Sequence, residues 1–116
     1  MGIPHHLLLL LLLLPFAYSD QYICGDPTEN MQIISNAKAV IKALVNLTPT
    51  PGSQRYSYGH GTEAVRGLRW CYPNIGAFGC ALCVSKLGND VLKSCNNNIF
   101  AISWSGESCY IDFHSG

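Results

Sequence analysis

The chain has 116 residues, with seven basic and seven acidic side chains and a formal net charge of zero at pH 7. A neutral chain without a run of basic residues has no electrostatic footprint for nucleic acid, so its composition argues against a nucleic-acid partner. The length is that of one small domain, a size at which disulfides commonly add to a modest core.

The N-terminal segment predicts secretion. Eight consecutive leucines occupy residues 7–14, and Ala17-Tyr18-Ser19, in which two small residues flank a larger one, follows. Eight residues make about 12 Å of helix, far short of the ~30 Å hydrocarbon core, which suits a signal peptide better than a membrane span. We predict cleavage after Ser19, leaving residues 20–116 as one extracellular domain with no later segment able to cross a bilayer. Because no Lys or Arg precedes the leucines, an uncleaved anchor is the alternative.

A first helix is expected near the start of the mature chain. Residues 26–29 have the composition of a helix N-terminus, with Pro27 or Thr28 near the cap. Apolar residues then recur at three- and four-residue intervals over 31–45, which predicts an amphipathic helix with its apolar stripe in the core. The helix must end before residues 48–53, where prolines and a glycine prevent continuation.

The rest of the chain predicts two hairpins separated by a second helix. The expected strands are 55–58, 64–70, 99–105 and 108–113. The first hairpin turns at Gly59-His60-Gly61 and the second at Gly106-Glu107. After a loop at 72–76, the second helix is expected at about 81–94, with Gly88-Asn89 as a weak interruption. This order predicts an α+β fold with two helices packed on one face of an antiparallel β-sheet.

The cysteines predict three disulfides. Six cysteines follow the predicted cleavage site, an even number in an oxidising export pathway. Their spacing alone leaves every pairing open. They are Cys24, Cys71, Cys80, Cys83, Cys95 and Cys109.

Residues 71–83, CYPNIGAFGCALC, carry a specific cysteine spacing, C-x8-C-x2-C. Three further stretches belong to the same pattern: Gly67-Leu68, Cys95-Asn96-Asn97 and Cys109-Tyr110-Ile111. With these features, nearly all of residues 20–116 resembles the ginkbilobin-2 homology (DUF26, stress-antifungal) family. The resemblance implies the disulfide pairs Cys24 with Cys95, Cys71 with Cys80, and Cys83 with Cys109.

The resemblance also implies a function. In that family the domain occurs alone in secreted antifungal seed proteins, and in tandem in plasmodesmal proteins and receptor-like kinases. A single copy without a kinase resembles the antifungal branch. The implied protein is a secreted, apoplastic defence protein without enzymatic activity or cofactor, which binds a mannose-type glycan of a fungal cell wall or surface.

The family's mannose-binding positions are not kept in this chain. Antifungal members bind mannose through an Asn after the first cysteine, an Arg before the last cysteine and a Glu shortly after it. Here these positions hold Gly25, Ile102 or Ser103 depending on a one-residue gap, and His114. A lectin would have to use replacement groups such as Asp26, Ser103 and His114. The alternative function is an apoplastic protein-interaction module that has lost the lectin site.

Other chemistries have less support. Cys80 and Cys83 have the C-x-x-C spacing of a redox pair or half of a zinc site, but structural disulfides explain them more simply in an oxidising compartment. No catalytic motif is present, so we predict neither an enzyme nor a bound metal, and His60 is interpreted as a turn residue. Asn46-Leu47-Thr48 predicts an N-glycosylation site at Asn46.

Aromatic residues are the remaining indication of binding. Along predicted strands they alternate between faces, so one subset must point away from the helices, where it can stack on sugar rings or contact a protein. Which subset does so depends on strand register, which the sequence leaves open. The candidates are Tyr56, Tyr58, Trp70, Tyr72, Trp104 and Tyr110.

Overall fold

The computed structural model describes residues 21–106 and 108–116. The predicted signal peptide, its cleavage site and the turn residue Glu107 therefore lie outside the described residues. The helices and strands are β1 (Gln21–Cys24), α1 (Met31–Asn46), β2 (Gly52–Tyr58), β3 (Val65–Cys71), α2 (Gly76–Ser94), β4 (Phe100–Ser105) and β5 (Cys109–Ser115).

The strands form one antiparallel sheet in the order β1-β4-β5-β3-β2. Helix α1 packs mainly over β2, β3 and β5, while α2 packs over β4 and β5 and also contacts β1. Buried side chains of both helices meet the inward side chains of the sheet, and together they form the hydrophobic core. The predicted α+β fold, two helices on one face of an antiparallel sheet with three disulfides, is confirmed.

The sheet has one strand more than the sequence predicts. Strand β1 pairs with β4 in a register that places Ile23 opposite Ile102. It has four residues and lies at the edge of the sheet, with three of them exposed. So short and exposed a strand shows no clear alternation of apolar and polar residues, which is why the sequence gives no signal for it.

Helix α1 begins at Met31, later than predicted. The cap is Asn30, whose side-chain oxygen accepts hydrogen bonds from the N–H groups of Gln32 (3.0 Å) and Ile33 (3.1 Å). Residues 26–28, predicted to start the helix, lie outside it, and Pro27 forms an isolated antiparallel bridge with Asn98. They run beside residues 97–99, and the Asp26 and Thr28 backbones are hydrogen-bonded to that segment. Pairing with a distant segment thus outweighs the local helix-start composition.

Helix α2 begins at Gly76, five residues earlier than expected, and it continues without a break through Gly88 and Asn89. The predicted loop at 72–76 contains a 3-10 turn, Pro73–Ile75, which leads directly into the helix. Pro73 is tolerated there because the first residues of a helix need no backbone donor. The first predicted hairpin turn is likewise followed by a 3-10 turn, Gly61–Glu63.

Several strand ends also differ from the prediction. Strand β2 begins at Gly52 rather than at residue 55, because Gly52–Gln54 pairs with Arg69–Cys71 of β3. Strand β5 continues to Ser115 rather than ending at residue 113, since its last residues pair with the beginning of β3. Longer pairing on the neighbouring strand explains both extensions.

Among the described residues, Pro73–Ser94 is, by length and composition, apolar enough to cross a membrane. The expectation that no segment after the leucine run has this composition is therefore wrong. In the fold this segment packs on the sheet through one face, where its own residues Val84, Leu87 and Val91 are buried. Disulfides also tie it to strands β3 and β5. Core packing accounts for these buried positions, while 28% of the apolar window as a whole is buried and Phe78 and Leu82 remain exposed.

Gly67 lets α1 lie directly on the sheet. A Cβ atom built at this position of β3 would be 2.5 Å from Val40 Cγ1 and 2.8 Å from Leu44 Cδ1, both on α1, and 2.9 Å from the carbonyl oxygen of Asp112. Real Cβ atoms do not approach other heavy atoms this closely, so any larger residue must push the helix away from the sheet.

We therefore expect Gly67→Ala to lower the free energy of unfolding by about 1–3 kcal/mol through overpacking. Denaturant unfolding of the oxidised protein, followed by circular dichroism, measures this loss. The control is Arg66→Ala, whose side chain points to solvent and should cost less than about 0.5 kcal/mol. Equal stability of Gly67→Ala and wild type would show that the helix has room to move.

Candidate functional site

All cysteines of the domain are in disulfides. The structure joins Cys24 with Cys95, Cys71 with Cys80, and Cys83 with Cys109, which are the pairs that the family resemblance implies. Cys80 and Cys83 lie on α2 and are bonded to two different strands. They are therefore structural links between the helix and the sheet, and they do not form a C-x-x-C redox pair.

Gly25 offers no side chain to a ligand. Its N–H donates to the carbonyl oxygen of Phe100 (2.7 Å), and its own carbonyl accepts from the Asn98 side chain (2.7 Å). A Cβ atom at this position would collide with the ring of Phe100. The ring of Phe100 thus occupies the space in which a larger residue at position 25 would place its side chain.

The other sugar-binding candidates are separated by the sheet. Ser103 is buried, and its hydroxyl donates to the carbonyl oxygen of Gln21 (2.9 Å). His114 is exposed on β5, opposite Phe100 of β4 and Arg66 of β3. Asp26 is exposed, with its carbonyl oxygen bonded to the N–H of Ile99. Ser103 and His114 therefore point to opposite faces and do not form a common site.

The side of the sheet away from the helices presents a second set of side chains, which we call the outward face. Along β5 the alternation is clear, because Cys109, Ile111 and Phe113 are buried while the residues between them are more exposed. The strand register then identifies the outward residues of the neighbouring strands. They include Arg55, Ser57, Arg66, Leu68, Trp70, Phe100, Ile102, Trp104, Tyr110, Asp112 and His114.

Aromatic side chains cross the outward face in a row. Trp104 lies opposite Tyr110, and Tyr110 lies opposite Trp70. The ring of Tyr72 extends the row by meeting Trp70 edge to face, with centroids 4.0 Å apart. These rings and Leu68 line an open groove of about 330 Å³, the aromatic groove. Both tryptophans of the chain therefore lie in one partly exposed site.

Tyr110 and Asp112 form a fixed polar pair beside the aromatic groove. The Tyr110 hydroxyl donates a hydrogen bond to Oδ2 of Asp112. Burial raises the pKa of Tyr110, and the hydrogen bond and negative charge of Asp112 raise it further. The hydroxyl therefore stays protonated, and the pair keeps its orientation.

Two arginines lie at the other end of the outward face. Arg55 and Arg66 line a second groove of about 250 Å³, together with Asp112 and His114, which we call the arginine groove. The two grooves meet at Leu68. Both guanidinium side chains are exposed, and neither has a hydrogen bond or an ion pair to any described residue. Their donors are available to a ligand.

A larger cavity, about 570 Å³, lies between the start of α1 and the loop after β2. It is lined by polar groups that include Asn36, His60 and Glu63. The buried amide of Asn36 donates to the Glu63 carbonyl oxygen (2.9 Å) and accepts from the Gln32 side chain (2.8 Å). These hydrogen bonds hold the loop against α1, so the buried side chain of Asn36 has a structural role.

The polar part of the outward face was not predicted from the sequence. Arg55, Arg66 and Asp112 were not among the predicted binding residues, although alternation with the inward residues of β3 and β5 was a usable signal. Asn46, the predicted glycosylation site, is exposed at the last residue of α1, and its modification stays a prediction.

Comparison with known proteins agrees with this fold. A sequence profile described as salt stress response/antifungal matches residues 22–115. The tandem DUF26 ectodomain of the Arabidopsis thaliana cysteine-rich receptor-like protein PDLP5 is similar with a TM-score of 0.69 and 21% identity, over 83% of this chain and 43% of that chain. The tandem DUF26 ectodomain of PDLP8 from the same plant gives a TM-score of 0.73 and 18% identity, over 83% and 48%. The chain thus spans less than half of each ectodomain. None of the curated proteins compared with it matches.

Proposed function

The chain belongs to the salt stress response/antifungal (DUF26) family, and we propose that it is an extracellular, non-catalytic recognition module that binds its target through the outward face. The observation that carries the proposal is the row of Trp104, Tyr110 and Trp70 on a side of the sheet that neither helix covers. Trp, Tyr and Arg are the residue types that supply most binding energy at protein surfaces, and all three occur together here. An uncovered apolar patch rimmed by polar groups is also typical of a binding site.

The proposed role is in defence, with a cell-wall or cell-surface target in the apoplast. A mannose lectin that uses the family's positions is less favoured, because Gly25 has no side chain and Ser103 is buried. His114 is the exposed member of that set, and it belongs to the arginine groove. The outward face therefore takes the place of the family's mannose positions in this proposal.

We expect Trp104→Ala to weaken binding to isolated cell walls at least tenfold, because removing a central aromatic ring costs more than about 1.4 kcal/mol at a binding hot spot. Sedimentation of the secreted, oxidised protein with fungal and plant cell walls measures this. Growth inhibition of a fungus should fall in parallel, and added mannose should not relieve it.

The matched control is Phe78→Ala, which removes an aromatic ring that is 78% exposed on α2. Helix α2 lies on the other side of the sheet from the outward face. Circular dichroism and thermal unfolding verify that both variants are folded. Wild-type binding by Trp104→Ala, or an equal loss in Phe78→Ala, would contradict the proposal.

A further inference from the structure

We propose that the ligand of the outward face is an acidic polysaccharide, a chain of sugar rings that bear carboxylates. The inference rests on the proposed function, and it names the ligand class of the same surface. Carboxylates would bind in the arginine groove, and sugar rings would stack in the aromatic groove. The two grooves are continuous over Leu68, so one extended ligand can occupy both.

The distribution of charge favours an anionic ligand. Every lysine of the chain lies on α1 or α2, whereas every arginine lies on β2 or β3. Arg55 and Arg66 are exposed, and among the described residues neither has an ion-pair partner. The carboxylate beside them, that of Asp112, accepts a hydrogen bond from the Tyr110 hydroxyl. A guanidinium group is planar, always charged and shaped to bind a carboxylate with two parallel hydrogen bonds.

The spacing of these groups suits an extended ligand. Arg66 pairs with Ser57, and Arg55 pairs with Leu68 on the next outward row. The spacing between strands and the rise per residue then place the Cα atoms of Arg55 and Arg66 about 8 Å apart. The Cα atom of Trp70 lies about 8 Å from that of Arg55, on the side away from Arg66. The ligand therefore meets two cations and then an aromatic ring at regular intervals along one path.

The position of the site on a sheet face favours sugar over an acidic peptide. Peptides commonly bind to sheets as an added edge strand, through free backbone groups. The outward face lies largely over β3, β4 and β5, whose backbones are paired on both sides within the sheet. A sugar instead presents apolar ring faces and hydroxyl groups. Its ring faces match the tryptophans, while its hydroxyls match the polar groups of Ser57, Asp112 and His114.

Intrinsic tryptophan fluorescence tests the inference directly, because both tryptophans of the chain lie in the aromatic groove. We expect titration of the secreted, oxidised protein with polygalacturonate to give a saturable change in fluorescence. Mannan, a neutral polysaccharide, and polyglutamate, an acidic peptide, should each bind at least tenfold more weakly. Raising the salt concentration should weaken polygalacturonate binding, because exposed charges are screened.

The variant for this test is the double substitution Arg55→Gln with Arg66→Gln, which should weaken polygalacturonate binding at least tenfold. Its matched control is Lys38→Gln with Lys42→Gln, which removes the same charge from exposed positions of α1. The control should bind within twofold of wild type. Equal losses in both double variants would overturn the inference, since they would show a response to net charge alone.

Two other results would also overturn it. The first is no saturable response to polygalacturonate, and the second is equal binding of polyglutamate, which would identify an acidic peptide as the ligand class. If either occurs while cell-wall binding still depends on Trp104, the inference fails and the proposed function stands. If Trp104→Ala changes neither cell-wall nor polygalacturonate binding, both fail.

Discussion

Alanine at Arg69 is expected to lower the free energy of unfolding by about 3–5 kcal/mol, the range for truncating a large buried side chain that makes polar contacts. Arg69 points inward from β3 and is 1% exposed. Its guanidinium donates to the carbonyl oxygen of Thr48 and to the side-chain oxygen of Gln54, and Nη1 lies 3.8 Å from Cys80 Sγ. Alanine would leave these oxygens unpaired and a cavity beneath the loop that follows α1.

The matched variant is Arg69→Met, which removes the charge but keeps most of the volume. No carboxylate of the described residues pairs with Arg69, its Nε is buried without a partner, and burial lowers its pKa. Methionine avoids this desolvation cost and fills the cavity, so we expect it to lose less than half as much stability as alanine. Guanidinium chloride unfolding without reductant measures both variants. Equal losses would show that the two hydrogen bonds, rather than packing, account for the role of Arg69.

Removing the disulfide between Cys24 and Cys95 is the second large expected effect. The two residues are 71 positions apart, and chain entropy predicts a loss of about 4 kcal/mol when such a loop is opened. The variant Cys24→Ala with Cys95→Ala should also loosen β1 at the sheet edge, because β1 keeps its pairing with β4 but loses its covalent link to the end of α2. Hydrogen exchange of residues 21–24 should then become fast while the core of the sheet stays protected.

The comparison variant is Cys71→Ala with Cys80→Ala, whose residues are 9 positions apart. The same chain-entropy relation predicts a loss of about 3 kcal/mol for this shorter loop. The variant Cys24→Ala with Cys95→Ala, which opens the longer loop, should therefore be the less stable of the two in denaturant unfolding. The reverse order would indicate that native packing around the Cys71–Cys80 bond, rather than loop length, controls stability.

Patterns that extend over many residues made the helices and the main strands predictable. Short segments, and segments whose structure depends on pairing with a distant part of the chain, were not predictable. The apolar intervals of α1 extend over four turns, so its existence and buried face follow from the residues alone. The first residue of α1 could not be predicted in this way, because residues 26–28 pair with residues 97–99, and local composition does not show such a distant contact. The same holds for β1, whose four residues become a strand by pairing with β4.

The candidate site was predictable only in its residue types. Alternation implied that some aromatic side chains point outward, but only the register between strands shows that Trp104, Tyr110 and Trp70 stand in one row. Alternation also places Arg69 inward, where a charged residue is uncommon, and no local pattern explains how it is accommodated. Its partner Gln54 lies opposite it on β2, and the loop that precedes β2 supplies the carbonyl oxygen of Thr48.

The pairing of β1 with β4 has a consequence for biosynthesis. Cys24 leaves the ribosome 71 residues ahead of Cys95, so α1, β2, β3 and α2 are all synthesised before its partner exists. Cys71, Cys80 and Cys83 emerge in the interval and can each react with Cys24. The native Cys24–Cys95 bond is therefore formed late and depends on exchange of any earlier disulfide of Cys24, so its yield should rise with the supply of a disulfide isomerase.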